Sequence, residues 1–400
     1  MPEFTSRDLG GVNDVVELRL NGETLLIAES YDVRMSFFRQ PSVFALRTGW
    51  SGTALDLMER FPPNAKFELI IAGRTQFTGR IDAVNAEQSV GGTEVTFHGR
   101  DDLALLHDSL ASADRSFDDA AYDDLVTYCL TDAGITEYTL FFTNQNNRER
   151  KSGMNIATPT NRQVFGRAST RGTSKKKKAG QLKVGQGLYG FCKQELDRGG
   201  LFLMAAADTG DGPTFVLTEP NTQQPAMYRV VRRRGLLRNE VNVISASKKN
   251  DISKRATEYT VYGRAGDNKT GQQPIVGTYL DNEMLVSYGF TRGQKRKTAR
   301  VDSIQNLAEA KNFAWRMRAD DRRDGYNITY TVSGHTIPAL NGRTANDRAV
   351  WCVDTVVDVV DDEYGIYGPM YLEEVQFQRD GGGTRTTLSL IDPADWVPPL

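Results

Sequence analysis

The chain has 400 residues, more than one hydrophobic core usually organises, so about two to four domains are expected. Hydrophobic residues at 39% beside 25% charged describe a soluble globular class, 37 glycines favour β structure with many turns, and a formal net charge of −2 gives no whole-molecule field for or against nucleic acid or membrane. No apolar run approaches the roughly 18 residues of a membrane helix, and MPEFTSRDLGG lacks the apolar core of a signal peptide, so a soluble protein made in a cytosol is expected.

From Val15 to Ile27, VVELRLNGETLLI alternates around Asn21-Gly22, a strong hairpin signal. YDVRMSFFR at 31–39, the stretch 44–50 and Lys66–Ile71 continue as strands. Residues 77–106 then spell out a complete ribbon. Phe77, Gly79 and Ile81 alternate with polar neighbours, Gly91-Gly92 supplies the turn, and Val95, Phe97 and Gly99 alternate on the return. Asp101 is placed to cap a short helical run carrying Leu103, Leu105 and Leu106. About six strands without a long helix point to a small barrel or sandwich.

The period then changes. Leu125, Val126, Cys129, Leu130 and Ala133 form the apolar stripe of a helix over 118–134, and a strand is expected near Tyr138–Phe142. From Asn144 to Gln181 the chain is polar, and eleven Lys and Arg up to Lys183, including Lys175, Lys176, Lys177 and Lys178, face the single Glu149, as in a mobile or partner-ordered loop. A second helix is expected at Gly187–Arg198, followed by a hairpin turning at Asp208–Pro213.

After Pro225 the β pattern resumes. Val241, Val243 and Ser245, a turn at Asn250-Asp251, then Tyr259, Val261 and Gly263 read as a hairpin that ends, like the earlier one, in Gly-Arg at Gly263-Arg264. A basic run at Arg292–Arg300 precedes a helix at about 302–320, with Asp302 and Gln305 as its capping box. The end is β again: 326–332, 350–360, and a hairpin over 371–393. That hairpin carries Tyr371, Val375 and Phe377 on one side and turns at Gly381–Gly383. Its Gly382-Gly383-Thr384 repeats Gly91-Gly92-Thr93, which suggests an internal duplication.

Catalytic signatures are missing from the sequence. His98, His107 and His335 form no HExxH or HxH, and Cys129, Cys192 and Cys352 have no CxxC spacing, so they read as buried small hydrophobes in a reducing compartment. There is no GxSxG elbow and no phosphate-binding loop; GQGLYG at 185–190 imitates GxGxxG but lacks the preceding strand. Acid pairs at Asp118-Asp119, Asp123-Asp124 and Asp320-Asp321 and the run Asp358–Glu363 could serve glycoside hydrolysis. Helix-terminal and turn positions account for them more simply. The basic runs lack the interleaved aromatics that stack on bases.

The hairpin FTGRID with FHGRDDLALLHDS, the stretch KVGQGLYGFCKQELDRGGLFLMAAADTGDGPTFVLTEP and the ending YLEEVQFQRDGGGTRTTLSLIDPADW resemble the baseplate hub proteins of contractile-tailed phages, nearest to the Mu-like late tail protein P family. The resemblance covers nearly the whole chain in order of elements; the basic insertion at 144–181 departs from it. It implies a mainly β fold with an α/β insert: two similar tandem β-barrel domains plus an α/β domain, in a trimeric pseudo-sixfold ring. The expected division is 1–107 for a first tube-like barrel, 108–222 for the α/β domain, 223–265 with 323–400 for the second barrel, and 266–322 for an insertion with a basic loop and helix.

The resemblance also implies a structural virion protein without cofactor, assembled in the host cytoplasm. Its partners would be two further copies, a tail tube or tube-initiator protein, a central spike trimer, the tape measure protein and a baseplate wedge, with DNA only in transit and no membrane insertion. Expected contact residues are Arg80, Arg100, Lys175–Lys178, Arg264 and Phe377. A tail-borne peptidoglycan or polysaccharide hydrolase and a nucleic-acid-binding module are the alternative readings.

Overall fold

A computed structural model of the chain describes residues 14–25, 28–50, 53–90, 92–117, 120–143, 180–207, 212–234, 242–263, 275–301, 304, 306–338 and 348–393. Its largest element is one 13-stranded sheet. In chain order its strands are β1 (Val16–Leu20), β2 (Glu23–Leu25), β3 (Ser30–Ser36), β4 (Val43–Trp50), β5 (Lys66–Ile71), β6 (Arg74–Ser89) and β7 (Gly92–Asp101). After a long interruption come β8 (Tyr228–Arg232), β9 (Val243–Asn250), β10 (Tyr326–Ser333), β11 (Thr355–Asp361), β12 (Ile366–Asp380) and β13 (Gly383–Ile391).

The sequence patterns explain the local pieces. Asn21 and Gly22 both adopt positive φ, at 48° and 84°, as the two-residue turn between β1 and β2 requires. In β6 and β7 the alternating set Phe77, Ile81, Val95 and Phe97 is buried, as the period-2 pattern demands. The N-cap position of the helix Leu103–Asp108 falls on Asp102, one residue later than expected, while the buried Asp101 ties the approach: one carboxylate oxygen accepts the Leu103 N–H at 3.0 Å and the other the Ser42 N–H at 2.6 Å.

The pairings reveal the duplication in full. The first half runs β3-β4-β7-β6-β5-β1 across the sheet, and the second runs β9-β10-β13-β12-β11-β8. Strand for strand, in sequence order, these are equivalent; the departure is that β8 lies parallel to β11 whereas β1 is antiparallel to β5. Within its own repeat each of the long strands β6 and β12 serves two neighbours, the first half pairing with β5 or β11 and the second with β7 or β13. A bulge sits at each handover, between Ile81 and Ala83 and between Leu372 and Glu374. The two repeats join directly, because β3 pairs antiparallel with β12 from Ser36·Glu374 to Tyr31·Arg379. One hydrophobic core spans both, from Val16 to Ile391.

Two units with their own cores are inserted. Between the repeats, helices Tyr122–Asp132 and Leu188–Gly199 pack on a three-stranded sheet of Thr139–Thr143, Phe202–Ala206 and Thr214–Thr218. Between β9 and β10, strands Glu258–Tyr262, Val276–Leu280 and Arg296–Arg300 carry the helix Leu307–Gly325.

This second insertion corrects two expectations. Val243–Ser245 and Tyr259–Val261 do not form a hairpin: β9 pairs with β10 across the insertion, while Tyr259 and Val261 belong to the insertion's own core. The long helix starts later than expected, capped by Asn306, which accepts the Glu309 N–H at 2.8 Å; Asp302 and Gln305 lie outside the described residues. A further short helix, Ala54–Arg60, was not expected; its Thr53/Asp56 capping box makes it legible.

Two stability predictions follow from this architecture. Gly79, where β6 passes between β5 and β7, has no room for a side chain: a Cβ would meet the Arg100 carbonyl oxygen and lie 2.7 Å from the Asp101 Cα. Gly79→Ala is expected to destabilise the fold by about 1–3 kcal/mol, whereas Gly381→Ala, at an open turn, should stay within about 0.5 kcal/mol; thermal melts compare them. Glu373 sits in the β12 bulge, its backbone oxygen accepting the Phe37 N–H at 2.8 Å. Burial pushes its carboxyl up to about 7, opposed by the nearby Arg323 charge. In that window the folded form holds a proton that the unfolded chain, near 4.3, has released, so this group's contribution falls as pH rises through it. Glu373→Gln should therefore gain on the parent protein by on the order of 1 kcal/mol between about pH 5 and about pH 8 in denaturant melts. A pH-independent difference would contradict the assignment.

Candidate functional site

The buried titratable groups are structural. His335 is fully buried, and its backbone N–H donates to the Asp14 carboxylate at 2.8 Å. The Thr386 hydroxyl donates to the Gly334 carbonyl at 2.6 Å, so Nδ1 of His335 must donate to Thr386 at 2.9 Å, leaving Nε2 to accept from the Tyr31 hydroxyl at 2.6 Å. Burial lowers the imidazole pKa to about 3, consistent with this neutral state. No group of His, Cys, Asp and Glu suited to a metal ion occurs among the described residues.

The acid clusters are committed to cations and backbone donors. Asp358 lies 3.3 Å from Arg229, and Glu363 accepts from Arg234 at 2.6 Å. Asp361 accepts from the Tyr330 hydroxyl at 2.7 Å and from the Glu363 and Tyr364 N–H groups. Asp321 accepts from Lys297 at 2.6 Å and from Tyr259 at 2.9 Å. Asp123 and Asp124 occupy the first turn of their helix, where the dipole favours them; Asp118 and Asp119 lie outside the described residues. A groove of about 760 Å³ beside the β12–β13 turn is lined by Asp14, Arg379, Asp380 and Arg385. There Asp14 accepts from the His335 backbone and Arg385 pairs with Asp380.

The expected contact residues divide by position. Arg80 and Arg100 are cross-strand partners on β6 and β7. Arg80 donates to the Asn64 side chain at 3.1 Å. Arg100 donates to Asp82 and Asp108, each at 2.6 Å, which raises its own pKa and lowers that of Asp108. It thus clamps β6 and the helix Leu103–Asp108 to β7. Phe377 is fully buried, edge-on to the His335 ring at 5.1 Å, so it belongs to the core of the repeat junction and not to an exposed contact surface. Arg264 and Lys175–Lys178 lie outside the described residues.

Two exposed sheet edges were missed by sequence reasoning. Among the described residues, β6 beyond its bulge pairs with β7 on one side only, and Asn85, Glu87 and Gln88 are exposed. Likewise, among the described residues, β9 pairs with β10 alone, and Ser247, Lys248, Lys249 and Asn250 are exposed. Both lie at positions whose equivalents, on β12 and β3, are joined inside the chain. The sequence signal was available in the contrast between the inner face of β3, with Tyr31, Val33 and Met35, and the stretch VISASKKN in β9, which has Lys248 and Asn250.

No protein-family model matches the sequence, and no curated protein matches it. Solved structures match along almost the whole chain. The tail protein from Neisseria meningitidis MC58 superposes with a TM-score of 0.71 at 19% identity, over 96% of this chain and 97% of that one. The 43 kDa tail protein of prophage MuSo2 from Shewanella oneidensis gives 0.69 at 15% identity, over 96% and 100%. The E. coli c3393 protein, a component of the type VI secretion system with structural similarity to the T4 bacteriophage tail proteins gp27 and gp5, gives 0.52 at 8% identity, over 96% and 79%. At these identities the likeness is one of fold: the chain has the mainly β architecture found in phage and prophage tail proteins.

Proposed function

We propose that the chain is a structural protein of a phage tail, the baseplate hub that adapts a sixfold tail tube to a threefold central spike. The observation that carries this reading is the pair of six-strand repeats with the same strand order, joined in one sheet. A chain with two equivalent units, assembled three to a ring, presents six equivalent surfaces on one side while keeping true threefold symmetry for the other. The fold shared with tail proteins supports the same reading. The tube or its initiator would dock on the sixfold side and the spike trimer on the other. The ring's channel would admit the tape measure protein and later DNA, and a baseplate wedge would meet the outer rim.

Within this reading the basic segment at 144–181 is a contact with an acidic partner. Replacing Lys175–Lys178 by Ser should then weaken tail assembly or make it more sensitive to salt; assembly unchanged at every salt concentration would assign the segment no such role. The central test is mass. Light scattering should give three times the 44.5 kDa of one chain, either for the protein alone or mixed with its spike. A monomer under both conditions would refute the hub reading.

A further inference from the structure

The junction between β3 and β12 shows how one repeat binds the next. It joins the β3-type strand of the first repeat to the outer half of the β6-type strand of the second. The complementary pair, β9 of the second repeat and the outer half of β6 in the first, is left open among the described residues, at the two ends of the double unit. We propose that β9 of one subunit pairs antiparallel with β6 of its neighbour, in the register that β3 makes with β12. This inference rests on the ring of identical subunits proposed above and specifies the contact that closes it.

Chained pairings inside the protein fix that register. Val33 pairs with Phe44 and Phe44 with Gly99, whereas Lys248 pairs with Ile328 and Ile328 with Leu390. Gly99 and Leu390 are the partners of Ile81 and Leu372 just before the two bulges, so Val33 corresponds to Lys248. Just past the bulges Ala83 corresponds to Glu374, and therefore Ala86 to Phe377. Because Val33 pairs with Phe377, Lys248 should oppose Ala86. Around it Asn250 opposes Val84, Lys249 opposes Asn85 and Ser247 opposes Glu87.

The backbone groups agree. At the internal junction Phe37 N–H points across to Glu373, so by alternation Met35 and Val33 also turn their backbone groups toward β12. Their equivalents on β9 are Asn250 and Lys248. Consistently, the Asp251 N–H turns the other way, to Gly325 beside β10. The Ala246 carbonyl already accepts from the Tyr364 hydroxyl at 3.1 Å, which ends the open stretch at Ser247. Val84 and Ala86 are half-buried against the core of their own repeat and would be covered by the added strand.

Charge selects this pairing over its competitors. Two copies of β9 side by side would set Lys248 and Lys249 against the same lysines, an unfavourable cross-strand arrangement. Opposite β6, Lys249 instead lies diagonal to Glu87. The internal junction has an ion pair of the same kind, Arg34 to Glu374 at 3.6 Å. Lysines on an open edge also block indiscriminate strand addition before assembly.

Disulfide trapping in the full-length protein tests the register. Asn85 and Lys249 would form a non-hydrogen-bonded pair with Cα atoms about 4.5 Å apart, within disulfide range, and the native cysteines are all buried. Asn85→Cys with Lys249→Cys, oxidised alone and with the spike, should give a covalent trimer that reductant dissolves. Arg34→Cys with Gln376→Cys is the matched control, forming its link within one chain. A trimer by mass that fails to cross-link, while the control does, overturns the pairing and leaves the hub reading intact. Covalent dimers from Lys249→Cys alone overturn it in favour of like-with-like edges. A monomer in both samples removes the pairing and the hub reading together.

Discussion

The structure depends on one strand pairing, β3 with β12, made across more than three hundred residues of sequence. Without it the chain would hold two separate β units; with it, one sheet and one core run through both. Register at this seam is fixed by the pleat. Val33, Met35, Val375 and Phe377 all face the interior, and a slip of one residue would turn each of them toward solvent. The Tyr31–His335–Thr386 chain adds a polar lock to the same place, since each of its donors has one acceptor and burial leaves no water to substitute. A neutral His335 suits this role, because a charged imidazolium would need both ring nitrogens to donate and would face the Tyr31 hydroxyl proton.

Around that seam the insertions occupy loops that the duplicated fold can spare. Between β3 and β4 the first repeat needs only residues 37–42, yet the equivalent connection between β9 and β10 carries a whole unit of three strands and a helix. The two inserted units are braced against each other and against the seam. Arg316, from the helix Leu307–Gly325, reaches Asp197 of the helix Leu188–Gly199 with Nη2 at 3.0 Å, and burial lowers its pKa. Arg323, about two turns further along, lies over the Phe38 ring at 4.5 Å, beside the end of β3. Arg316, the buried member, is stabilising only as a pair: left without Asp197 its charge would carry a large desolvation penalty, so the contact favours one arrangement of the units.

Much of this was legible in the sequence because it is local. Alternation found the strands, Asn21-Gly22 and the Gly-Gly-Thr turns found the hairpins, and the apolar stripe around Leu125 and Cys129 found a helix. What failed was non-local. The rule that neighbouring strands pair suggested a hairpin across Asn250-Asp251, but an inserted unit begins there, and β9 waits for β10 until after Gly325. Phe377 was read as a contact because it lies in the C-terminal hairpin that repeats the opening one. Only the β3 pairing shows that its face is already covered. The acid clusters looked chemically interesting for the opposite reason: their arginine partners, such as Arg229 for Asp358 and Arg234 for Glu363, come from more than a hundred residues away.

The divergence between the two repeats has a physical logic. β3 is apolar on its inner face and is covered as the chain folds, so it never has to survive in water. β9, its equivalent, carries Ser247, Lys248, Lys249 and Asn250 and stays wet. An edge of this kind tolerates exposure while remaining able to pair, since its hydrogen-bonding groups are those of the backbone and do not depend on side-chain type. In the proposed ring the buried junction then acts as the template for the exposed one. Each chain would contribute one junction made during folding and one made during assembly, alternating around the circle. Only if both impose the same rotation do six units close, so the packing of β3 against β12 within one chain would set the size of the ring that three chains can form.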